Sequence, residues 1–299
     1  MDWPSGLTGD GPGRVRGRAR DLLTTASGTK TLADDVLVAA VGQGRVYESL
    51  FTFPDRPALQ TLIGLHRPAN SRSAVSALIP EEREAGTPLY LLLDDLPAIA
   101  LVSGQVMIEW FTPEERNNLM GSGPRRSVVG ICSGYTPGSS ALAADGSVRT
   151  IQQVQAVGPL LSESDPMAWH LLQPETTEPE MRRARRIDVW KDEVLHVDAF
   201  FQDSCTTPGG TRVAVHEYNL VATADLETGA LLSVTADPRV LPFDSCPPAA
   251  GNVDRMLGVP LNEFRTAVLE RLPGTLGCTH LRDVLRALAE VPVMAQHIQ

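Results

Sequence analysis

Five side chains in the last third of the chain have the types that carry out acid–base chemistry. They are Asp203, His216, Cys246, Cys278 and His280. Cys278 and His280 are separated by one residue in GCTHL, where a helix is predicted to begin, and Cys246 precedes a second predicted helix. The first turn of a helix offers unpaired backbone N–H groups and partial positive charge, which favour a thiolate. We therefore treat these five residues as candidate catalytic acids, bases and nucleophiles.

A second hypothesis makes some of the same residues metal ligands. Cys205 follows Asp203 by two positions. With Cys246, Cys278 and His280 it forms a donor set that suits zinc or iron. The sequence contains no C-x-x-C pair among these cysteines, so their spacing leaves open whether one metal ion is bound or none.

A fourth cysteine lies in GICSG, residues 130–134, which has the G-x-C-x-G form of a nucleophile elbow. An elbow needs a helix directly after the nucleophile, and Pro137 and Gly138 stand where that helix would begin. We therefore predict a strand over 126–135 that enters a glycine-rich turn with Cys132 buried. The nucleotide-binding loop motifs and H-E-x-x-H are absent from the sequence.

The pattern of apolar residues predicts strands first and helices afterwards, an α+β order. Residues 34–53 and 211–236 read as hairpins, the first turning at Gly42–Gly44, and 186–203 reads as two strands. Residues 87–111 are predicted as two buried strands because Pro97 would break a helix. The fold class expected is therefore α+β, with antiparallel sheets and helices packed on one side.

Three helices are predicted in the last fifty-odd residues, beginning near Ser245, Pro260 and Cys278. The last of them carries a core-facing stripe at i, i+3, i+4 and i+7. Its members are Leu281, Val284, Leu285 and Leu288. The domain organisation expected is a flexible tail at 1–20, a mainly-β or α+β domain at 21–180 and an α+β domain at 181–299.

The 299 residues carry a formal net charge of −10, with 36 acidic and 26 basic side chains. A surface this acidic repels phosphate backbones, so nucleic acid is not an expected partner. The basic run 181–190 lies beside acidic residues and is predicted to pair locally. We expect no apolar stretch to span a membrane, and no leader sequence is apparent. We therefore expect a cytoplasmic protein without a membrane partner.

The order of features between residues 200 and 290 resembles that of the NifU/IscU-type iron–sulfur scaffolds. The shared features are Asp203 with Cys205, the hairpin ADLETGALL, Cys246, the segment LGVPLNEF and Cys278. This resemblance implies a NifU/IscU-like fold for the C-terminal part. It also implies that Cys205, Cys246 and Cys278 bind a metal or a cluster.

The motif GCTHL after such a hairpin is also similar to a bacterial family called domain of unknown function 2889, over residues 180–298. That second resemblance implies no particular activity, because fold-level likeness does not transfer function.

Two functions follow as hypotheses. The first is an enzyme without an organic cofactor that performs lyase or isomerase chemistry, such as adding or removing water, on a small apolar molecule. Its Cys/His/Asp site would lie where the two predicted domains meet. The alternative is a metal or iron–sulfur carrier that uses Cys205, Cys246 and Cys278. The sequence specifies neither the substrate nor the metal. Both hypotheses are compatible with a homo-oligomer.

Overall fold

The protein was studied as a computed structural model, which describes residues 1–42, 46–64, 71–120, 127–149, 153–171 and 177–299. The chain forms two compact units. The first contains Met1–Trp110, His170–Arg182 and Thr206–Gly210. The second contains Phe111–Trp169, Arg183–Cys205 and Thr211–Gln299. The division differs from the expected one, since 111–169 belongs with the C-terminal residues.

A three-stranded antiparallel sheet organises the first unit. Its strands are β1 (Gly13–Thr25), β2 (Gly28–Val41) and β3 (Tyr47–Phe53), paired in that order. The predicted strands in 34–53 are thus confirmed, while residues 43–44 of the predicted turn lie outside the described residues.

Residues 13–20 of the segment expected as a flexible tail, 1–20, belong to strand β1 of this sheet. β1 begins at Gly13, and Asp2 accepts hydrogen bonds from the side chains of Arg14 and Arg16. Polar and apolar residues alternate along the start of β1, with Val15 buried between the two arginines. That period of two is a strand pattern, which explains why the segment pairs with β2.

The apolar residues 87–111 form helices, so the two strands predicted there are wrong. The helices are α3 (Pro88–Val102) and α4 (Gly104–Trp110). The Thr87 side chain accepts a hydrogen bond from the Tyr90 N–H at 3.2 Å, and Pro88 occupies the first turn. These start signals outweigh the breaking effect of Pro97, which lies buried inside α3.

The segment Pro88–Trp110 has the length and apolar composition of a membrane span, contrary to the expectation from sequence, with 39% of its apolar window buried. A core helix of a soluble protein meets the same criteria. α3 contacts β1 and β2 of its own unit, where the Asp35 carboxylate accepts a hydrogen bond from the Leu89 N–H at 3.0 Å. The remaining helices of the first unit are α1 (Ser71–Leu78) and α2 (Pro80–Glu84).

A five-stranded sheet underlies the second unit, in the order β4–β7–β6–β5 with β8 beside β7. Its strands are β4 (Gln155–Ala156), β5 (Met181–Lys191), β6 (Leu195–Thr206), β7 (Arg212–Ala224) and β8 (Leu231–Val240). The end residues Met181, Arg182 and Thr206 belong to the first unit. The antiparallel β7–β8 pair confirms the predicted hairpin at 211–236.

Short helices follow the sheet, as the sequence predicts. They are a 3₁₀ helix (Pro247–Met256), α6 (Phe264–Arg271), α7 (Thr279–Ala287) and α8 (Val291–Gln296), and α5 (Pro113–Met120) precedes the sheet in the chain. The predicted stripe on α7 is buried in one apolar core together with residues of β6, β7 and β8. The structure is therefore α+β with antiparallel sheets, as expected.

The predicted strand at 126–135 is wrong over its described part, which forms turns and a 3₁₀ helix at Ser133–Tyr135. Gly130 adopts φ 79°, a backbone conformation that interrupts a strand. Hydrogen bonds from this loop reach the segments before α7 and before the 3₁₀ helix at 247: the Ser133 N–H donates to the Gly277 carbonyl at 2.9 Å and its hydroxyl to the Ser245 carbonyl at 3.0 Å. The loop thus holds Cys132 against both helix starts.

Candidate functional site

Asp203, His216 and His280 form a compact group in the second unit. Asp203 lies near the end of β6, His216 lies on the neighbouring strand β7, and His280 lies in the first turn of α7. One ligand atom from each side chain lies within 4.8 Å of the other two. Among the described residues this is the one His, Cys, Asp or Glu group of three with that geometry. We call it the triad.

The two imidazole rings of the triad are stacked. Their centroids are 3.4 Å apart and their planes differ by 16°. His280 Nε2 lies 3.6 Å from Asp203 Oδ2, which is too long for a hydrogen bond. Asp203 is fully buried, whereas the His280 side chain is 13% exposed. The triad therefore has a buried carboxylate beneath imidazoles that solvent partly reaches.

Both imidazoles are neutral at ordinary pH. Burial, followed by the nearby Arg183 charge, lowers the pKa of His280 to about 3. Burial and the neighbouring His280 lower the pKa of His216 well below its ordinary value. A neutral imidazole keeps one nitrogen lone pair free to accept a proton or bind a cation. The Nδ1 atom of His216 is buried without a hydrogen bond to any described residue.

Arg183 of β5 fixes the carboxylate of the triad. Its guanidinium donates two hydrogen bonds of 2.8 Å to the two oxygens of Asp203 and one of 2.9 Å to Asp283 of α7. The guanidinium also lies 4.8 Å from the centroid of the Phe201 ring. A bidentate arginine orients a carboxylate firmly, so Asp203 has little freedom to turn away from the imidazoles.

Cys278 lies at the edge of the triad. It is the residue before the first turn of α7, and its Sγ lies 3.8 Å from His280 Nδ1. The thiol is 4% exposed, and this burial raises its pKa. The thiolate that the sequence predicted at this helix start is therefore wrong, because loss of hydration outweighs the helix-end charge. Cys278 is a protonated thiol.

Two further buried thiols, those of Cys246 and Cys132, lie close to each other in the second unit. A Cβ atom placed on Gly134 would lie 2.7 Å from Cys246 Sγ and 3.8 Å from Cys132 Sγ, so both sulfurs approach this glycine. Burial and then the neighbouring Cys278 raise the pKa of Cys246 to about 12. Cys246 is therefore also a thiol, and its helix-start position does not ionise it.

The ligand set predicted from the sequence is not gathered in the structure. The four cysteines are all described and none forms a disulfide, and Cys205, Cys246 and Cys278 do not form a group with ligand atoms within 4.8 Å of one another. Cys205 is fully buried on β6. Of the predicted metal ligands only His280 belongs to the triad, whose other members had been predicted as catalytic residues.

Three residues of the site were missed by sequence reasoning. Arg183 belongs to the basic run whose local pairing was predicted, and its partner Asp283 follows His280 by three positions on the same face of α7. Tyr218 follows His216 by two on β7, and its buried hydroxyl interacts electrostatically with the Cys278 thiol. The period-two and i, i+3 spacings were the signals that could have found the last two.

The comparisons with known proteins support one part of the sequence interpretation. Residues 181–294 match a family described as protein of unknown function (DUF2889). The match confirms the predicted resemblance to that family for this segment. The matched segment contains all members of the triad together with Arg183 and Cys278. No curated protein and no solved structure matches the chain.

Proposed function

We propose that the second unit is an enzyme of lyase or isomerase type that uses no organic cofactor and acts on a small, mainly apolar molecule. The observation that carries this proposal is the triad of two neutral imidazoles and a buried carboxylate with the protonated Cys278 thiol 3.8 Å from His280. Polar groups that converge in a buried region and have perturbed pKa values are typical of catalytic centres.

The triad would hold the single polar group of the substrate, and Cys278 would exchange the proton. In a dehydration, the thiol donates its proton to the leaving hydroxyl as the C–O bond breaks and water departs. The thiolate then removes a proton from the adjacent carbon, which forms the double bond and restores the thiol. The reverse sequence hydrates an alkene, and addition at a different carbon isomerises the alcohol.

Apolar surroundings favour this assignment over chemistry on a charged substrate. The ring of Phe201 lies 6.5 Å from the His280 ring, and Tyr218 is fully buried beside Cys278. The proposal names a class of substrate, small alcohols and alkenes, and no individual compound. A cytoplasmic location and the absence of nucleic-acid and membrane partners remain part of it.

The carrier hypothesis has less support. A carrier must present its ligands to a partner, whereas Cys205, Cys246 and Cys278 are all buried and stay apart. The likeness of the C-terminal part to NifU/IscU scaffolds remains a prediction from sequence. We therefore do not propose it as a second function.

A panel of small tertiary and allylic alcohols and their alkenes, incubated with the reduced protein and followed by gas chromatography, tests the proposal. We expect the wild type to interconvert at least one pair. Cys278→Ala should lower that rate by about 100-fold or more, because the proton donor is lost. Cys205→Ala removes an equally buried thiol outside the triad and is the matched control. Equal rates for wild type and Cys278→Ala would contradict the proposal, and loss in Cys205→Ala alone would favour the carrier.

A further inference from the structure

We infer that Asp203, His216 and His280 bind one divalent transition-metal ion, of the zinc or ferrous class. The inference deepens the proposed function and rests on it for the chemistry, since the ion would be what holds the substrate's oxygen. The site itself is argued from the geometry of the triad and is tested without any assay of turnover.

The separation of the ligand atoms fits a shared ion. His280 Nε2 and Asp203 Oδ2 are 3.6 Å apart and make no hydrogen bond. Two ligand atoms bound to one ion at about 2.1 Å lie roughly 3.0 to 3.6 Å from each other at tetrahedral angles. A buried imidazole facing a buried carboxylate at hydrogen-bonding distance would be an ion pair; this longer gap leaves room for an ion between them.

His216 supplies an independent observation. Its Nδ1 is buried, has no hydrogen bond to a described residue, and belongs to a side chain that reaches the other two within 4.8 Å. Buried polar atoms are nearly always partnered, and an unsatisfied one points to an ion or water that it contacts. Each neutral imidazole keeps one nitrogen lone pair, and two charged rings with centroids 3.4 Å apart would repel each other.

A second layer of contacts holds the ligands in place. Arg183 binds both oxygens of Asp203, and a carboxylate oxygen has a further lone pair for an ion. The Thr279 hydroxyl lies 3.3 Å from His280 Nδ1, and the other ring nitrogen, Nε2, is the one that lies 3.6 Å from Asp203 Oδ2. Such outer contacts are the usual partners of metal-binding histidines and carboxylates.

The types of the donor atoms select the kind of ion. Two nitrogens and one oxygen suit zinc and ferrous ions, whereas magnesium and calcium prefer oxygen alone. Three protein ligands leave at least one coordination position open, as in catalytic sites.

Cobalt(II) is the probe for this site, because it occupies zinc sites and absorbs visible light when bound to nitrogen and oxygen ligands. We expect metal-free, full-length wild type to bind one equivalent of Co²⁺ and to release it to added Zn²⁺. His280→Gln and His216→Gln should each weaken Co²⁺ binding by about 100-fold. His196→Gln is the matched control: His196 is a histidine of β6 outside the triad, 2.9 Å from Asp192.

Wild type that binds no Co²⁺, or His280→Gln that binds it as tightly as wild type, would overturn the inference. If the triad variants do not fold by circular dichroism, anomalous scattering from Co²⁺-soaked wild-type crystals replaces them, and an ion found elsewhere overturns the inference. Turnover by metal-free wild type would leave the proposed function standing without the metal. Stoichiometric Co²⁺ binding with full activity in Cys278→Ala would leave the metal standing without that function.

Discussion

At the scale of single residues, burial decides the chemistry of the candidate groups. The sequence correctly placed Cys246 and Cys278 directly before helices, where a helix end favours a thiolate. The structure buries both thiols, and their pKa values rise instead. The position of a cysteine in its element was predictable, but its exposure depends on which distant segments pack over it. The loop that carries Cys132 is one such segment.

The buried thiol of Cys246 should be unreactive and should couple stability to alkaline pH. Its pKa rises from an ordinary value of 9 to about 12 on folding, so the unfolded chain loses this proton at lower pH. The stabilisation is present below pH 9 and is lost as the pH rises towards 12, by up to about 1.4 kcal/mol per pH unit. Urea unfolding of wild type and Cys246→Ala at pH 8, 9 and 10.5 measures the difference. Identical pH dependence in the two proteins would refute the assignment.

At the scale of elements, the hairpins and the terminal helices were predictable because their periodicity is local. β7, β8 and α7 follow period-two and i, i+3, i+4 patterns that appear in the sequence itself. α3 was not predicted, since a mostly apolar run containing Pro97 has no clear period and reads equally as buried strand or helix. The meeting of β6, β7 and α7 at the triad depends on strand order, which no local pattern encodes.

Arg183 should be the strongest single link between these elements, because it joins β5 to Asp203 of β6 and Asp283 of α7. Its side chain is 5% exposed and Asp203 is fully buried. Arg183→Leu strands a buried carboxylate and should cost about 3–5 kcal/mol of unfolding free energy. Arg18→Leu removes an exposed pair with Asp34 and should cost about 1 kcal/mol or less. Urea denaturation compares the two, and equal costs would contradict the buried role of Arg183.

The loop that carries Cys132 should be tied sterically to Cys246 through Gly134. A Cβ on Gly134 would come within 2.7 Å of Cys246 Sγ, so Gly134→Ala should cost about 1–3 kcal/mol by overpacking. Cys246→Ala removes that sulfur, and the double variant should recover part of the loss. A double-mutant cycle of unfolding free energies measures the coupling. Strictly additive costs would show that the loop does not pack there.

At the scale of the whole molecule, the candidate site lies in one of two units. The second unit contains all members of the triad, Arg183 and Cys278, and most of it beyond residue 181 matches the DUF2889 family. The structure groups 111–169 with the C-terminal sheet, whereas the sequence analysis groups these residues with the N-terminal domain, because the contacts that join them to the sheet are distant in sequence. Arginines of the basic run of β5 form ion pairs within the chain, with Asp203 and Asp188.

Chemical rescue at His280 tests the central claim most directly, namely that the imidazole of this residue belongs to a triad that holds the substrate for the proton transfer by Cys278. His280→Gly leaves a space the size of imidazole beside Asp203 and His216. With a substrate pair from the alcohol and alkene panel, this variant should lose about 100-fold or more of the wild-type rate. Added imidazole should restore a measurable part of that rate, while it leaves the control His196→Gly unchanged. A folded His280→Gly protein that keeps the wild-type rate without imidazole would contradict the account.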